Sequence, residues 1–399
     1  MGPSWRSIAT LFAMMFASQL ALTIYLPAVP EMALDLGVSA SHVQLIIPSY
    51  LGAFALMQLV AGPLSDAFGR RPVILSGLVL FFFASIACAL SADIWQLMAA
   101  RFVQAAGACT TIVVGRAIIR DTSEGKSAAR AMSYLAMALG VGPAIAPFFG
   151  GLLLEAFDWR STFYATAIMS AVVLIFAFRI LSETLPPETR DPLRPAALLR
   201  GYLSLLRQRK FMGYSLTISF QSGTFQVFIA ASPIVLISVM GVTPQLFGLY
   251  IMFIPTGFIL ASFVSGRLVS HFSPDKIIFA GTLFGLAGAL MQVLFATTGS
   301  ATPFLIVMSI FVSNFGTGLV FSNCYALALS TVPPSFAGAA SALGGFFHQG
   351  WAFAISFFVA SLVHTSSLQM GIMQSVTTVC AFLIFVFAVL WTGRKAQHT

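Results

Sequence analysis

Hydrophobic positions run through this chain in long unbroken blocks. Residues 7–30, 36–65, 72–92, 131–154 and 161–178 contain no Asp, Glu, Lys or Arg, and 94–115 contain only Arg101. A helix needs about 20 apolar residues to cross a bilayer, so these blocks predict six spans in the first 180 residues. Residues 211–266 are free of charge and long enough for two more spans. Residues 277–393 are long enough for four, with breaks at Thr298–Pro303, Val332–Gly338 and Leu362–Gln369. The pattern predicts an all-α membrane protein of twelve transmembrane helices.

Three parts follow: a six-helix bundle over 1–180, a linker over 181–210 and a second bundle over 211–399. The linker carries Pro186, Pro187, Pro192 and Pro195, and Ala196–Lys210 reads as a basic amphipathic helix for the membrane surface. One arginine and a long apolar run at the N-terminus read as an uncleaved first span rather than a signal peptide.

Charge adds orientation. Of the 20 basic residues, all but Arg101 and Arg160 fall on one side when the N-terminus is cytoplasmic. They are Arg6, Arg70, Arg71, Arg116, Arg120, Lys126, Arg130, Arg179, six linker residues from Arg190 to Lys210, Arg267, Lys276, Arg394 and Lys395. Short loops rich in Lys and Arg stay inside, which places both termini and the linker in the cytoplasm. The net charge of +8 is thereby a topology signal and implies no nucleic-acid partner. Charged residues make up 8% of the chain, against about 25% in soluble domains, which excludes a soluble enzyme. Cys88, Cys109, Cys324 and Cys380 lie in apolar stretches without zinc-like spacing. No nucleotide loop and no embedded acid–base cluster is present, so no cofactor, metal or catalytic site is expected.

The halves echo each other. Gly62-Pro63-Leu64-Ser65-Asp66-Ala67-Phe68-Gly69-Arg70-Arg71 follows the second span. Gly266-Arg267-Leu268-Val269-Ser270-His271-Phe272 follows the eighth, with Gly, Leu and Phe matched at an offset of 204. Six plus six spans in parallel halves is the plan of one class of secondary transporter. On these residues the chain resembles the major facilitator superfamily, and its bacterial Bcr/CflA-type drug-resistance branch. The helix 2–3 loop is similar to the superfamily's cytoplasmic signature, and Leu97–Gly107, with Arg101, Gln104 and Gly107, to its helix 4 signature. Gly140, Gly142, Pro143, Pro147, Gly150 and Gly151 resemble the helix 5 signature of exporters. Tyr25-Leu26-Pro27-Ala28-Val29-Pro30 and Arg120-Asp121 point to the branch.

The resemblance implies the major facilitator fold and a proton-coupled exporter of small drugs or related metabolites, monomeric, in the bacterial inner membrane. It implies a conformational latch from Gly62, Asp66, Gly69, Arg70, Arg71 and Arg120, closed against helix 11 near Gly338 in the outward-facing state. The alternative for this loop is a solvated turn that enforces topology. Helix 5 reads either as a bent, close-packed exporter interface or as an ordinary packed span. Arg101, the one charge well inside a span, either faces a cavity with a coupling or substrate role or snorkels to the headgroups.

One position departs from the branch. Its drug/proton antiporters usually carry an aspartate before the Tyr-x-Pro segment, and this chain has Thr23 there. All twelve acids can be placed at span ends or in loops. Arg101 without an embedded acid favours a neutral, zwitterionic or anionic substrate over a permanent cation. Proton coupling then falls to Arg101 with a substrate-borne proton or to His348, which alternatively is a neutral interhelical hydrogen-bonding residue. Mid-depth polar and aromatic residues supply the substrate-site candidates: Gln19, Thr23, Tyr50, Arg101, Gln104, Gln221, Phe225, Tyr250, Asn314, His348 and Gln349. A second reading is an importer or facilitator of an anionic metabolite or siderophore-like compound.

Overall fold

In hydrocarbon every backbone N–H and C=O needs an internal partner, so an apolar run folds as helix. The protein, described here from a computed structural model, is helical over most of the described residues of its long apolar blocks. The structure describes residues 5–123, 125–190, 192–333, 336–362 and 366–390. Glu124, Asp191, Arg394 and Lys395 lie outside the described residues, as do the side chain of Lys126 and parts of the breaks at 332–338 and 362–369.

The helices are α1 (Trp5–Asp35), α2 (Ala40–Phe68), α3 (Arg70–Ala89), α4 (Ile94–Thr122), α5 (Gly125–Ala156) and α6 (Arg160–Ile180). They continue as α7 (Arg209–Val239), α8 (Pro244–Leu268), α9 (Pro274–Thr297), α10 (Pro303–Ser330), α11 (Ala337–Leu362) and α12 (Ser367–Val389). Among the described residues eleven are long and apolar enough to cross a membrane, and α5 contains a shorter apolar stretch, Gly140–Ala156. Start signals are polar side chains on free amides. Asp93 accepts from the Trp95 and Gln96 amides at 2.8 and 2.9 Å, Thr302 from Leu305, and Ser366 from Leu368.

Helix α1 runs five residues past the expected end at 30. Pro27 and Pro30 lack N–H donors. The regular helix Trp5–Thr23 gives way to a 3-10 turn, Leu26–Ala28, and resumes over Val29–Asp35.

Contacts divide the chain into two units: Met1–Arg194 with Pro244–Leu249, and Pro195–Thr243 with Tyr250–Thr399. In the first, α4 packs on α2 and α3, α3 on α6, and α1 on α5 and α6. Its core joins Leu11, Met14, Tyr50, Ile74, Phe81, Ile112, Leu135 and Val173. Helices α3 and α4 approach backbone to backbone: a methyl on Gly107 would lie 2.5 Å from the Gly77 carbonyl oxygen and 2.7 Å from the Phe81 nitrogen.

In the second unit α7 packs on α10, α11 and α12, and α9 on α10 and α12. A methyl on Gly281 of α9 would lie 2.8 Å from the Gly316 carbonyl oxygen of α10. Gly77 and Gly281 stand at the same offset of 204 as the loop motifs. The linker contributes a helix, Pro195–Leu206. Its Leu205 is buried and Gly201 approaches Phe336, while Leu199, Leu203 and Leu206 are exposed on another face.

The exteriors are apolar. Phe83, Ile168, Phe178, Leu290, Leu294 and Phe358 are exposed, as lipid-facing side chains are.

Candidate functional site

A guanidinium inside a span must be offset by its surroundings. At the centre of a helix it costs about 2.5–3.5 kcal/mol on insertion scales. Arg101 on α4 is fully buried. Its Nη1 donates to the Ala21 carbonyl at 2.9 Å and to Gln104 Oε1 at 2.6 Å. Gln104 is fixed in turn, because its Nε2 donates to Ser85 Oγ at 2.8 Å. The guanidinium carbon lies 4.3 Å from the Tyr50 ring centroid, 4.7 Å from Tyr25 and 5.9 Å from Phe163. A desolvated cation–π contact contributes about 2 kcal/mol and a hydrogen bond to a charged group about 1.5–3 kcal/mol. Two close rings and two hydrogen bonds are therefore large enough to hold the charge. Among the described residues no carboxylate pairs with it.

Of the expected substrate residues in the first unit, Tyr50, Arg101 and Gln104 come together. The Tyr50 hydroxyl donates to the Ser18 carbonyl at 3.3 Å. Thr23 is buried, and its hydroxyl has no partner. Gln19 packs against Gly142 of α5. Tyr25 and Phe163 were not among the expected site residues. Tyr25 stacks on Phe163, which meets Trp159 edge to face.

In the second unit Gln221 is fully buried against Gly285, and its side-chain amide has no partner. Thr317 Oγ1 donates to the Gln221 carbonyl at 3.4 Å, and Asn314 Nδ2 to the Ile254 carbonyl at 3.2 Å. His348 meets Phe321 edge to face at 5.7 Å. Phe225, Tyr250, His348 and Gln349 are half-buried.

The motif between α2 and α3 is tied by four segments of chain. Arg70 is buried; its Nε donates to Asp121 at 2.9 Å and its Nη1 to Ser65 Oγ at 2.7 Å and to Asp66. The last turn of α4 thus supplies Asp121 where Arg120 was expected. One residue is about 100° around a helix, and Arg120 faces outward, exposed. Arg71 donates to the Phe178 carbonyl at 2.8 Å and lies over the Phe178 ring. Gly62 makes only an ordinary contact with Val113.

Glu183, just past α6, was not foreseen. It caps the start of α3, accepting from the Arg70 and Arg71 amides at 3.0 and 3.2 Å as well as from Thr184 and Leu185. Burial pulls its carboxyl upward, but the amides of Leu185, Arg70, Arg71 and Thr184 outweigh that and hold it below its ordinary value. Gly69 makes room. Its φ is +99°, a region side chains rarely enter, and a Cβ there would lie 2.5 Å from the Glu183 carboxylate.

At the other end of α1, Asp35 accepts from Trp159 Nε1 at 3.0 Å and Arg160 Nη1 at 2.6 Å, and Glu31 from the Trp159 amide at 3.2 Å. On α5, Gly142 and Gly150 lie against the backbone of α1, the latter on the Ile24 carbonyl, and Gly151 against Pro244. Gly140 faces open space, and Pro143 and Pro147 are buried within one continuous helix.

The chain has known relatives. The Major Facilitator Superfamily model matches residues 11–357. An uncharacterised MFS-type transporter, YdgK of Bacillus subtilis (strain 168), is 34% identical over 91% of this chain and 90% of its own. The bicyclomycin resistance protein homolog of Haemophilus influenzae is 28% identical over 96% and 94%, and multidrug resistance protein D of Escherichia coli (strain K12) 31% over 82% and 81%. A crystal structure of a D-xylose–proton symporter superposes with a TM-score of 0.76 over 96% of both chains, at 16% identity, a likeness of fold alone.

Proposed function

The chain belongs to the major facilitator superfamily, and from that premise we propose that it is a proton-coupled exporter of small drugs or related metabolites. A member of this superfamily is a multi-pass membrane transporter of small molecules, not an enzyme. The drug reading is supported by the bicyclomycin and multidrug resistance relatives. The observation that carries the substrate preference is Arg101, buried and unpaired by any carboxylate among the described residues. Such a charge repels a permanent cation and accepts a neutral, zwitterionic or anionic molecule.

In this reading transport proceeds by alternating access, with two six-helix bundles joined by the linker over 181–210 and both termini in the cytoplasm of a bacterial cell. The protein works as a monomer in the inner membrane. The network of Asp66, Arg70 and Asp121, with Arg71 and the Glu183 cap beside it, acts as the conformational latch, and the proton moves through His348 or travels on the substrate past Arg101. The substrate-site residues are Gln19, Thr23, Tyr50, Arg101 and Gln104 in the first unit, and Gln221, Phe225, Tyr250, Asn314, His348 and Gln349 in the second.

The test is proton movement in everted vesicles with an acidic lumen. Proton release on adding an amphenicol or an anionic antibiotic, with no release on adding a cationic dye, is the expected result. Arg101→Ala abolishes the release while the protein is still made and inserted. Thr23, where branch members usually carry an acid, favours the second reading, an importer or facilitator of an anionic metabolite or siderophore-like compound. Cellular accumulation of labelled substrate separates the two: export lowers it and import raises it.

A further inference from the structure

A guanidinium offers two parallel donor pairs to a planar oxyanion: one at its tip, from Nη1 and Nη2, and one along its side, from Nε and Nη2. In Arg101 the tip is engaged through Nη1, which holds the Ala21 carbonyl and Gln104 Oε1. The Tyr50 and Tyr25 rings at 4.3 and 4.7 Å fix the group further. The side edge is different: Nε and Nη2 are both buried, and neither has an acceptor. The Tyr25 hydroxyl, buried next to the same guanidinium, has no acceptor either. Three donors and a positive charge thus share one buried neighbourhood in which no described side chain supplies an anion.

We propose that the Nε/Nη2 edge of Arg101, with the Tyr25 hydroxyl as third donor, is the receptor for a carboxylate carried by the transported molecule. This rests on the transporter reading and narrows its substrate class. A carboxylate presents two coplanar oxygens at the spacing of two parallel N–H groups, and its charge cancels that of Arg101 in a medium of low dielectric. A neutral amide matches one donor and leaves the charge. Gln104 holds the receptor plane in place, since Ser85 fixes it from behind. Preorganisation of this kind reduces the ordering that binding requires.

The experiment uses the purified full chain in detergent and reads the thermal unfolding midpoint as ligand is added. Benzoate is the probe, benzamide its uncharged isostere, and chloride the halide control at matched ionic strength. Benzoate is expected to raise the midpoint, with benzamide and chloride leaving it in place. Arg101→Lys keeps the charge but not the fork, and weakens benzoate about tenfold or more. Tyr25→Phe keeps the ring and loses one donor, for a smaller weakening. Gln104→Glu places a carboxylate beside Arg101, keeps the fold even if Arg101→Lys loses it, and abolishes the response to benzoate.

The proposal falls if benzamide or chloride stabilises as well as benzoate does. It also falls if benzoate has no effect up to about 10 mM, a concentration that would reveal even weak binding, or if its effect survives in Gln104→Glu. Drug-driven proton release in vesicles without this carboxylate preference would remove the receptor and leave the exporter. Carboxylate binding without any flux would do the reverse.

Discussion

Arg101 is held by rings and carbonyls drawn from distant parts of the chain, and that explains what could be read of it beforehand. Its oddity is visible in sequence, because it is the one charge well inside a span. Its cradle is not, because Tyr25, Tyr50 and Phe163 look like any other aromatics in apolar runs until the helices pack. The same holds at Arg70. The motif shows that an acid and an arginine meet there, but helical phase decides that Asp121 makes the contact and Arg120 does not. Close backbone approach separates the glycines in the same way. Gly107→Ala should cost about 1–3 kcal/mol, since a methyl there meets the α3 backbone. Gly140→Ala faces open space and should cost nothing, or gain up to about 1 kcal/mol of helix propensity. Thermal unfolding of the two variants beside the parent protein checks the pair.

Helices were the most legible level, because a charge-free block of span length has one fold available in lipid. Their ends were less so. Helix α1 continues to Asp35 because Trp159 and Arg160 hold Glu31 and Asp35 from 120 or more residues away. Helix α3 begins where it does partly because Glu183 binds its first two amides, and no local pattern announces that an acid beyond α6 does so. The cap has a pH signature. The Glu183 carboxyl lies below its ordinary value in the folded protein, so its contribution is complete above the unfolded value of about 4.3 and is lost as pH falls through the folded value. Glu183→Gln should lower the unfolding midpoint at neutral pH, and the gap from the parent protein should close in acid. A gap unchanged across that range would mean that the charge contributes nothing to the cap.

For the whole molecule, the doubling of the chain was foreshadowed by the 204-residue offset, and the structure extends the correspondence to Gly77 and Gly281, which both sit at close backbone crossings. What no single span reveals is direction across the bilayer, which depends on the summed placement of Lys and Arg. Cysteine labelling makes it measurable. A cysteine at exposed Ser204 of the linker helix should react with an impermeant maleimide only from the cytoplasmic side, and one at exposed Ser300 only from the opposite side. Reaction of both from one side would overturn the assigned topology. The arginine cradle has an electrical consequence as well. With no carboxylate paired to it among the described residues, Arg101 is a fixed charge, and membrane voltage acts on such a charge with about 2.3 kcal/mol per 100 mV for a full crossing. Any step that changes the depth of Arg101 in the field is then a charging current, which an electrode can record with no substrate in hand.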